Sequence, residues 1–466
     1  IVKNHTFFTF NFEGFRERRT SQGFAIYPTQ RMRDGDLTEP NFRNPVSAAG
    51  ALIPIRDLTT NQPFPDNRIP ASRIARQARG FYPYWPQPNS GAAAFDGTNN
   101  YSGSSRNALN DDQTFVRIDH QIGANNKLFG RYGNQEVADD AFPVNPHPYF
   151  VARNPRHQQN AILNWTRIFS PTLLGEVKTA YNRDVFKRVD DVSGTEFNIA
   201  RDLGIPGQTN NPTDTGLPGL GITGVSGLGN TDINTIWDES RLVAGSLIWT
   251  RRGHTFKFGS EFTHLRLDRR TVNFVKGNFQ FTGAHSGVGL PAAQQGRLAW
   301  ADFLLDQPGQ VRTGLSVVPG FDSGSYPRAR EWRWHSYFTD DWKITPKLTM
   351  NYGLRYEYNS VWQDIRGGSR NINIFQGALF PEAGVKGDLH DPEYDNFAPR
   401  VGFAWRPFGG NKTVVRLGYG VFYNINMANN IVPTLALNPP FSQNINELNA
   451  AGNIRIRMAT ADQAQA

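Results

Sequence analysis

Nine histidines are spread along a 466-residue chain that contains no cysteine, which excludes disulfides, thiolate chemistry and Cys-ligated metal sites. The histidines form no HExxH or comparable pair. His254 and His264 stand ten positions apart on one alternating segment, too far to share a metal, and His147 lies in the loop sequence NPHPY. The acidic pairs Asp111–Asp112 and Asp340–Asp341 read as markers of strand or turn ends rather than as a catalytic dyad. The stretch GLGITG, Gly219 to Gly224, has dinucleotide-site glycine spacing, but lies in a Pro- and Asn-rich connection without the strand–helix context such a site needs, and reads as a flexible surface loop. No GxSxG or Ser/His/Asp arrangement appears. Neither an enzyme nor a cofactor or metal site is expected. What remains is a set of polar residues recurring at every second position: Asn351, Arg355 and Glu357 in one segment, Arg400 and Arg406 in the next, and Arg416 in a third.

That spacing of two is the dominant pattern of the chain. It predicts eleven strands, at 5–16, 113–122, 127–137, 157–168, 172–183, 240–250, 254–266, 331–342, 347–358, 398–407 and 412–424. In 347–358, Leu348, Met350, Tyr352, Leu354, Tyr356 and Tyr358 form one face, and Asn351, Arg355 and Glu357 belong to the other. Most of the strands are longer than those of soluble sheets and close to the 9–11 residues, roughly, that cross a bilayer at a tilt. Their turns alternate in length. Those at 123–126 (GANN), 169–171, 251–253, 343–346 and 408–411 (FGGN) are tight, whereas the connections 17–112, 138–156, 184–239, 267–330 and 359–397 are long.

Soluble sandwiches have short loops at both ends, and their apolar faces lack the Tyr, Trp and Phe found here near strand ends. The expected fold is therefore all-β, an antiparallel transmembrane β-barrel with short periplasmic turns and long extracellular loops. The six polar candidates then face the interior. There they pair with one another or with a plug, or they make a basic wall that favours anionic solutes. No run of 18 apolar residues exists, so no transmembrane helix is expected, and the N-terminal IVKNHTFFTF is strand-like rather than a signal peptide. Although the net charge is +8, the basic residues are scattered singly, and nucleic acid is not an expected partner. Anionic lipid or lipopolysaccharide fits that distribution better.

Strand direction adds an expectation. The first strand runs outward and so does 412–424, whose return partner is expected after the loop beginning at Ile425; the tail IRIRMATADQAQA is a poor candidate for it. An odd count fits an internal portion of a larger barrel. Within 63–89, Ser72 is a possible N-cap for a short helix carrying Ile74, Ala75 and Ala78, and a second helix is predicted at 293–305; both are expected to pack over the barrel mouth.

Several stretches resemble the Oar-like (OmpA-related) TonB-dependent receptors of Acidobacteria and myxobacteria: HTFFTFNFEGFRERR (5–19), PFPDNRIPASRIARQARGFYPYWPQPN (63–89), RIDHQIGANNKLFGRYG (117–133), NWTRIFSPTLLGEVKTAYNR (164–183), HTFKFGSEF (254–262), ADFLLDQPGQV (301–311), YFTDDWKITPKLTMNYGLRYEY (337–358) and NFAPRVGFAWRPFGGNKTVVRLGYGVFYN (396–424). The resemblance implies a 22-stranded outer-membrane barrel of which residues 1–466 form a part of about eleven strands. It further implies energising by TonB–ExbB–ExbD through a plug and TonB box that, like the family's N-terminal β-sandwich, are absent from this sequence. The function expected is TonB-dependent transport of an unidentified solute across the bacterial outer membrane. The alternatives are a passive porin-like channel, distinguished by the lack of a plug, and a surface structural or adhesive β-protein, distinguished by solubility without detergent.

Overall fold

In each predicted strand one side carries aromatic and aliphatic residues and the other polar or small ones, and the chain folds accordingly into a single antiparallel meander. The computed structural model describes residues 5–465 apart from 48–49, 93, 148–149, 191, 193–194, 209–210, 213, 230–233, 272–273, 316–325, 374–376, 383–384, 409–411, 426–434, 436–437 and 439–442. Its eleven long strands are β1 (Thr6–Ala25), β2 (Tyr101–Ile122), β3 (Asn126–Phe142), β4 (Arg156–Ser170), β5 (Leu173–Asp190), β6 (Asn234–Arg251), β7 (His254–Thr271), β8 (Arg328–Thr345), β9 (Leu348–Asn359), β10 (Phe397–Trp405) and β11 (Val415–Gly420). Each pairs with the next in sequence, and β1 and β11 are the sheet's two edges among the described residues. Of the five tight turns, FGGN lies largely outside the described residues. In GANN, Gly123 takes the left-handed conformation (φ 61°) that the reversal requires.

The register fixes the two faces. One row runs Phe8, Ile118, Gly130, Leu163, Thr179, Val243, Phe262, Trp334 across eight strands. The row on the opposite face begins Asn11, Phe115, Gly133, Asn160, Asn182, Ser240. On the apolar face, Trp249, Phe256 and Trp342 gather near the short turns, and Trp332, Trp334 and Tyr356 toward the other end. Trp332 and Trp342 are ten residues apart on β8. That is about 33 Å along a strand, or about 25 Å of height at a tilt near 40°, the thickness of the apolar band of an outer-membrane barrel.

Most of the wall strands outrun their predicted bounds at the long-connection end. β1 and β2 stay paired out to Ala25 and Tyr101, so the connection between them is residues 26–100 rather than 17–112. Beyond the apolar band both faces of a strand meet polar surroundings, so the alternation that marks a strand fades while the backbone ladder continues. The same extension corrects the reading of Asp111–Asp112. They lie in mid-strand, Asp112 paired to Arg16 at 2.6 Å on the apolar-face side and Asp111 accepting from Gln135 at 2.9 Å on the polar face.

The long connections do not behave as separate loops. Residues from 27–95, 199–228, 279–311 and 456–461 share one hydrophobic core, in which Trp85, Trp300, Phe42, Phe81, Phe279, Phe281 and Phe303 are fully enclosed. We call this layer the cap. Trp300 donates to the Met32 carbonyl at 2.8 Å, and Trp85 to that of Ser226 at 2.9 Å. Inside it lies a five-stranded sheet in the order Val225–Leu228, Gly219–Ile222, Asn278–Phe281, Gln310–Leu315, Gln443–Leu448. GLGITG is therefore not a flexible loop: Leu220 and Ile222 are buried in the cap, and Gly219 and Gly221 leave room for Asn278 and Gln280 on the neighbouring strand.

Both predicted helices are in the cap. Arg76–Phe81 is helical, but Ala75 occupies the N-cap and Ser72 sits in a preceding 3₁₀ turn, Ala71–Arg73, so the predicted capping role falls away. The second is a nearly continuous run made of Ala292–Gln295, Gly296–Leu298 and Ala299–Leu304. Ala75 donates its backbone N–H to Leu304 at 2.8 Å, which ties the two together. The tail is also cap: Asp306 accepts from the Met458 and Ala459 amides at 2.8 and 3.1 Å, and Met458 is buried.

Candidate functional site

Five of the six candidates share the polar face by register. Asn351 lies opposite Asp341 and Gly402, Arg355 opposite Tyr337 and Ala398, Glu357 opposite His335, Arg400 opposite Gly353, and Arg416 opposite Ala404. Arg406 is brought to a different place. It follows the end of β10 and its guanidinium donates to the Pro346 carbonyl at 2.5 Å, bracing the adjacent tight turn.

The five divide by partner. Arg355 and the buried Glu357 pair at 2.5 Å, and Arg355 also meets His335 Nδ1 at 3.0 Å. His335 in turn is 3.5 Å from Glu261. Asn351 donates to Asp341, which pairs with Lys257 at 2.9 Å. Arg400 and Arg416 are exposed on the polar face, the former with its guanidinium 4.5 Å over the Phe422 ring. Beside Arg400 is a depression of about 530 Å³ floored by Gly353, Gly402, Gly418 and Gly420 and rimmed by Lys257, Asp341 and Arg400 itself. Gly353 is needed there, since a Cβ at that position comes within 2.5 Å of the Phe338 carbonyl oxygen.

A second region of the same face is missed by a search for charge. A hollow of about 500 Å³ is lined by Asn11, Gln113, Gln135, Gln158, Asn160 and Asn182, with Asp184, Asp238 and Ser240. Asn182 donates to Ser240 at 3.1 Å, and Arg131 to Asn160 at 3.0 Å. Amides each present a donor and an acceptor, so these six side chains hydrogen-bond without carrying charge themselves. The signal was in the sequence as polar residues at every second position of β4 and β5, but amides carry no chemistry that singles them out. Among the described residues no cluster of His and acidic groups is placed to hold a metal ion.

A sheet that is apolar over one face and polar over the other, with aromatic belts about one bilayer apart, is a membrane wall. A model of the outer membrane beta barrel domain matches residues 1–464. The chain belongs to that family. It is an outer-membrane β-barrel protein, and in such a wall the band of aromatic and aliphatic residues is the side that meets lipid. No helix among the described residues is long and apolar enough to cross a membrane. No curated protein matches the sequence.

Among solved structures the barrel chain is similar to the outer membrane transporter YddB from Escherichia coli, with 11% identity over 73% of this chain and 35% of that one, at a TM-score of 0.41. It is also similar to the copper transporter OprC, with 11% identity over 68% of this chain and 41% of that one, TM-score 0.36. A third is P. aeruginosa FpvA bound to heterologous pyoverdines, again with 11% identity, over 66% of this chain and 36% of that one, TM-score 0.36. The chain thus spans between 35% and 41% of the length of these solved chains.

Proposed function

We propose that this chain is part of the wall of a transporter of the Oar-like, TonB-dependent kind, carrying a solute across the outer membrane under the drive of TonB–ExbB–ExbD. On this reading the short turns face the periplasm, the cap faces outside and holds the entrance, and the polar face lines the path. The observation that carries it is the continuous polar face, with Lys257 and Arg400 at a glycine-floored depression and Arg416 exposed on the same face. A wall that only met lipid and a packed interior has no need of exposed arginines on its inner side. The resemblance of the eight stretches, in order along the chain, supports the TonB-dependent class. Excess positive charge on that face favours an anionic solute.

The test is uptake of a panel of labelled anionic solutes by cells expressing the full-length gene, with and without TonB. Accumulation should require both. Uptake undiminished without TonB would replace active transport by a passive channel.

A further inference from the structure

The apolar face carries one strongly charged patch. Just beyond the upper aromatic belt the register lines up Arg183, Glu239, Arg266 and Arg330 across β5 to β8, with Arg241 in the row below, beside His264 and Trp332. All have the parity of Val243, Phe262 and Trp334, so they stand on the lipid side. The acids of the patch lie deep. Glu239 is 11% exposed at its side chain and Asp268 1%, while Arg183, Arg266 and Arg241 stand at 35%, 35% and 60%. Asp268 is held by Arg266 at 2.5 Å and Arg330 at 2.6 Å. Glu239 is 3.3 Å from Arg241, 3.6 Å from Arg266 and 3.9 Å from Arg183. Two carboxylates beneath four guanidiniums leave an outward excess of two positive charges. The Nε of Arg183 is shielded from water with no hydrogen-bond partner.

Positive charge at this height on a lipid-facing surface costs desolvation unless an anion in the membrane answers it. The height is that of lipid headgroups, two residues or about 5 Å of membrane normal beyond the Trp332 row. We infer that Arg183, Arg241, Arg266 and Arg330 form a site for the phosphates of a phosphorylated glycolipid of the outer leaflet, the lipid A portion of lipopolysaccharide. Guanidinium forks bind phosphate bidentately. The acyl chains then lie down the Val243–Phe262–Trp334 surface, and the site fixes the barrel's height and rotation against its surrounding lipid. This inference rests on the orientation proposed above, with the cap outside.

The test uses the full-length protein purified from its membrane in mild detergent, with bound lipid counted by native mass spectrometry. Lipid A, enzymatically dephosphorylated lipid A and phosphatidylglycerol are the added probes. Lipid A should bind tightly and the dephosphorylated form weakly. The variant Arg183→Gln/Arg241→Gln, which leaves Asp268 with both its partners, should lose about tenfold or more in lipid A affinity, as expected for losing charge-assisted hydrogen bonds. Lys178→Gln on the polar face, which removes a positive charge away from the patch, should not. Equal binding of phosphorylated and dephosphorylated lipid A, or of wild type and the double variant, overturns the site. Preference for phosphatidylglycerol with the same arginine dependence overturns the lipid A assignment and shows the cluster at the inner leaflet, which also refutes the orientation. Failure of TonB-dependent uptake alone leaves these binding results intact, so the two readings fail separately.

Discussion

In the wall, Phe262, Trp332, Leu417 and Tyr419 stand 54%, 59%, 60% and 70% exposed, whereas in the cap Phe279, Phe281, Trp300 and Phe303 are at most 1% exposed. The same residue types do opposite things because the two regions have different partners. Wall side chains turn to hydrocarbon, so no protein core is required, and cohesion comes from ladders such as that joining Thr6–Ala25 to Tyr101–Ile122. The cap meets water and must bury its apolar residues against one another. The wall is therefore specified by parity and register, and the cap by packing.

Substituting Trp300 by Ala separates the two most sharply. The cap should lose about 3–5 kcal/mol through the cavity and the lost bond to Met32. Hydrogen exchange should rise across 27–95, 199–228 and 279–311 while β1 to β11 keep their protection; a uniform loss over wall and cap would contradict independent cohesion. Next in size is a pair of neighbours on β8. Phe338 lies midway between the aromatic belts, so Phe338→Arg should cost about 2–4 kcal/mol in bilayer refolding assays. Thr339→Arg, on the polar face beside Lys257, should change stability by less than about 0.5 kcal/mol. Similar costs at the two positions would remove the distinction between the faces.

A further contrast lies in pH dependence. Burial pushes the Asp302 carboxyl up to about 7, even though the Ser286 amide donates to it at 2.7 Å. A carboxyl with a raised folded pKa favours its protonated form, so its contribution to cap stability is complete below about pH 4 and is lost as pH rises through about 7. Thermal melting of the cap should weaken over that interval in the wild type, and Asp302→Asn should flatten the trend. A wild-type profile that rises instead would reverse the assignment.

The contrast also explains what was legible in the sequence. All eleven wall strands were readable because lipid on one side and polar surroundings on the other impose alternation residue by residue. Their outer ends were not, since Asp111, Asp112 and their neighbours alternate between two polar environments. The cap was nearly illegible: Trp300 meets Met32, and Ala75 meets Leu304, across more than two hundred residues, and no local period encodes such contacts. Its two helices were visible as local patterns, but their common core was not. On the polar face, charge drew attention to Arg355, Arg400 and Arg416, while the amides from Asn11 to Asn182 passed unnoticed because they look like ordinary polar alternation. Arg406 shared the parity of the others yet lies past the end of its strand, where the turn claims it.

This chain lacks cysteine, so once any cysteine elsewhere in the full-length protein is replaced by serine, single cysteines placed in the wall can be read without background. Labelling the full-length protein in intact outer membranes, at 351, 400 and 416 on one face and at 354, 403 and 417 on the other, tests the central claim most directly. The first three should react with a water-soluble maleimide and resist a lipid-phase quencher, and the second three should do the reverse. Equal aqueous labelling of both sets would contradict a wall with one side in lipid and the other on a polar path.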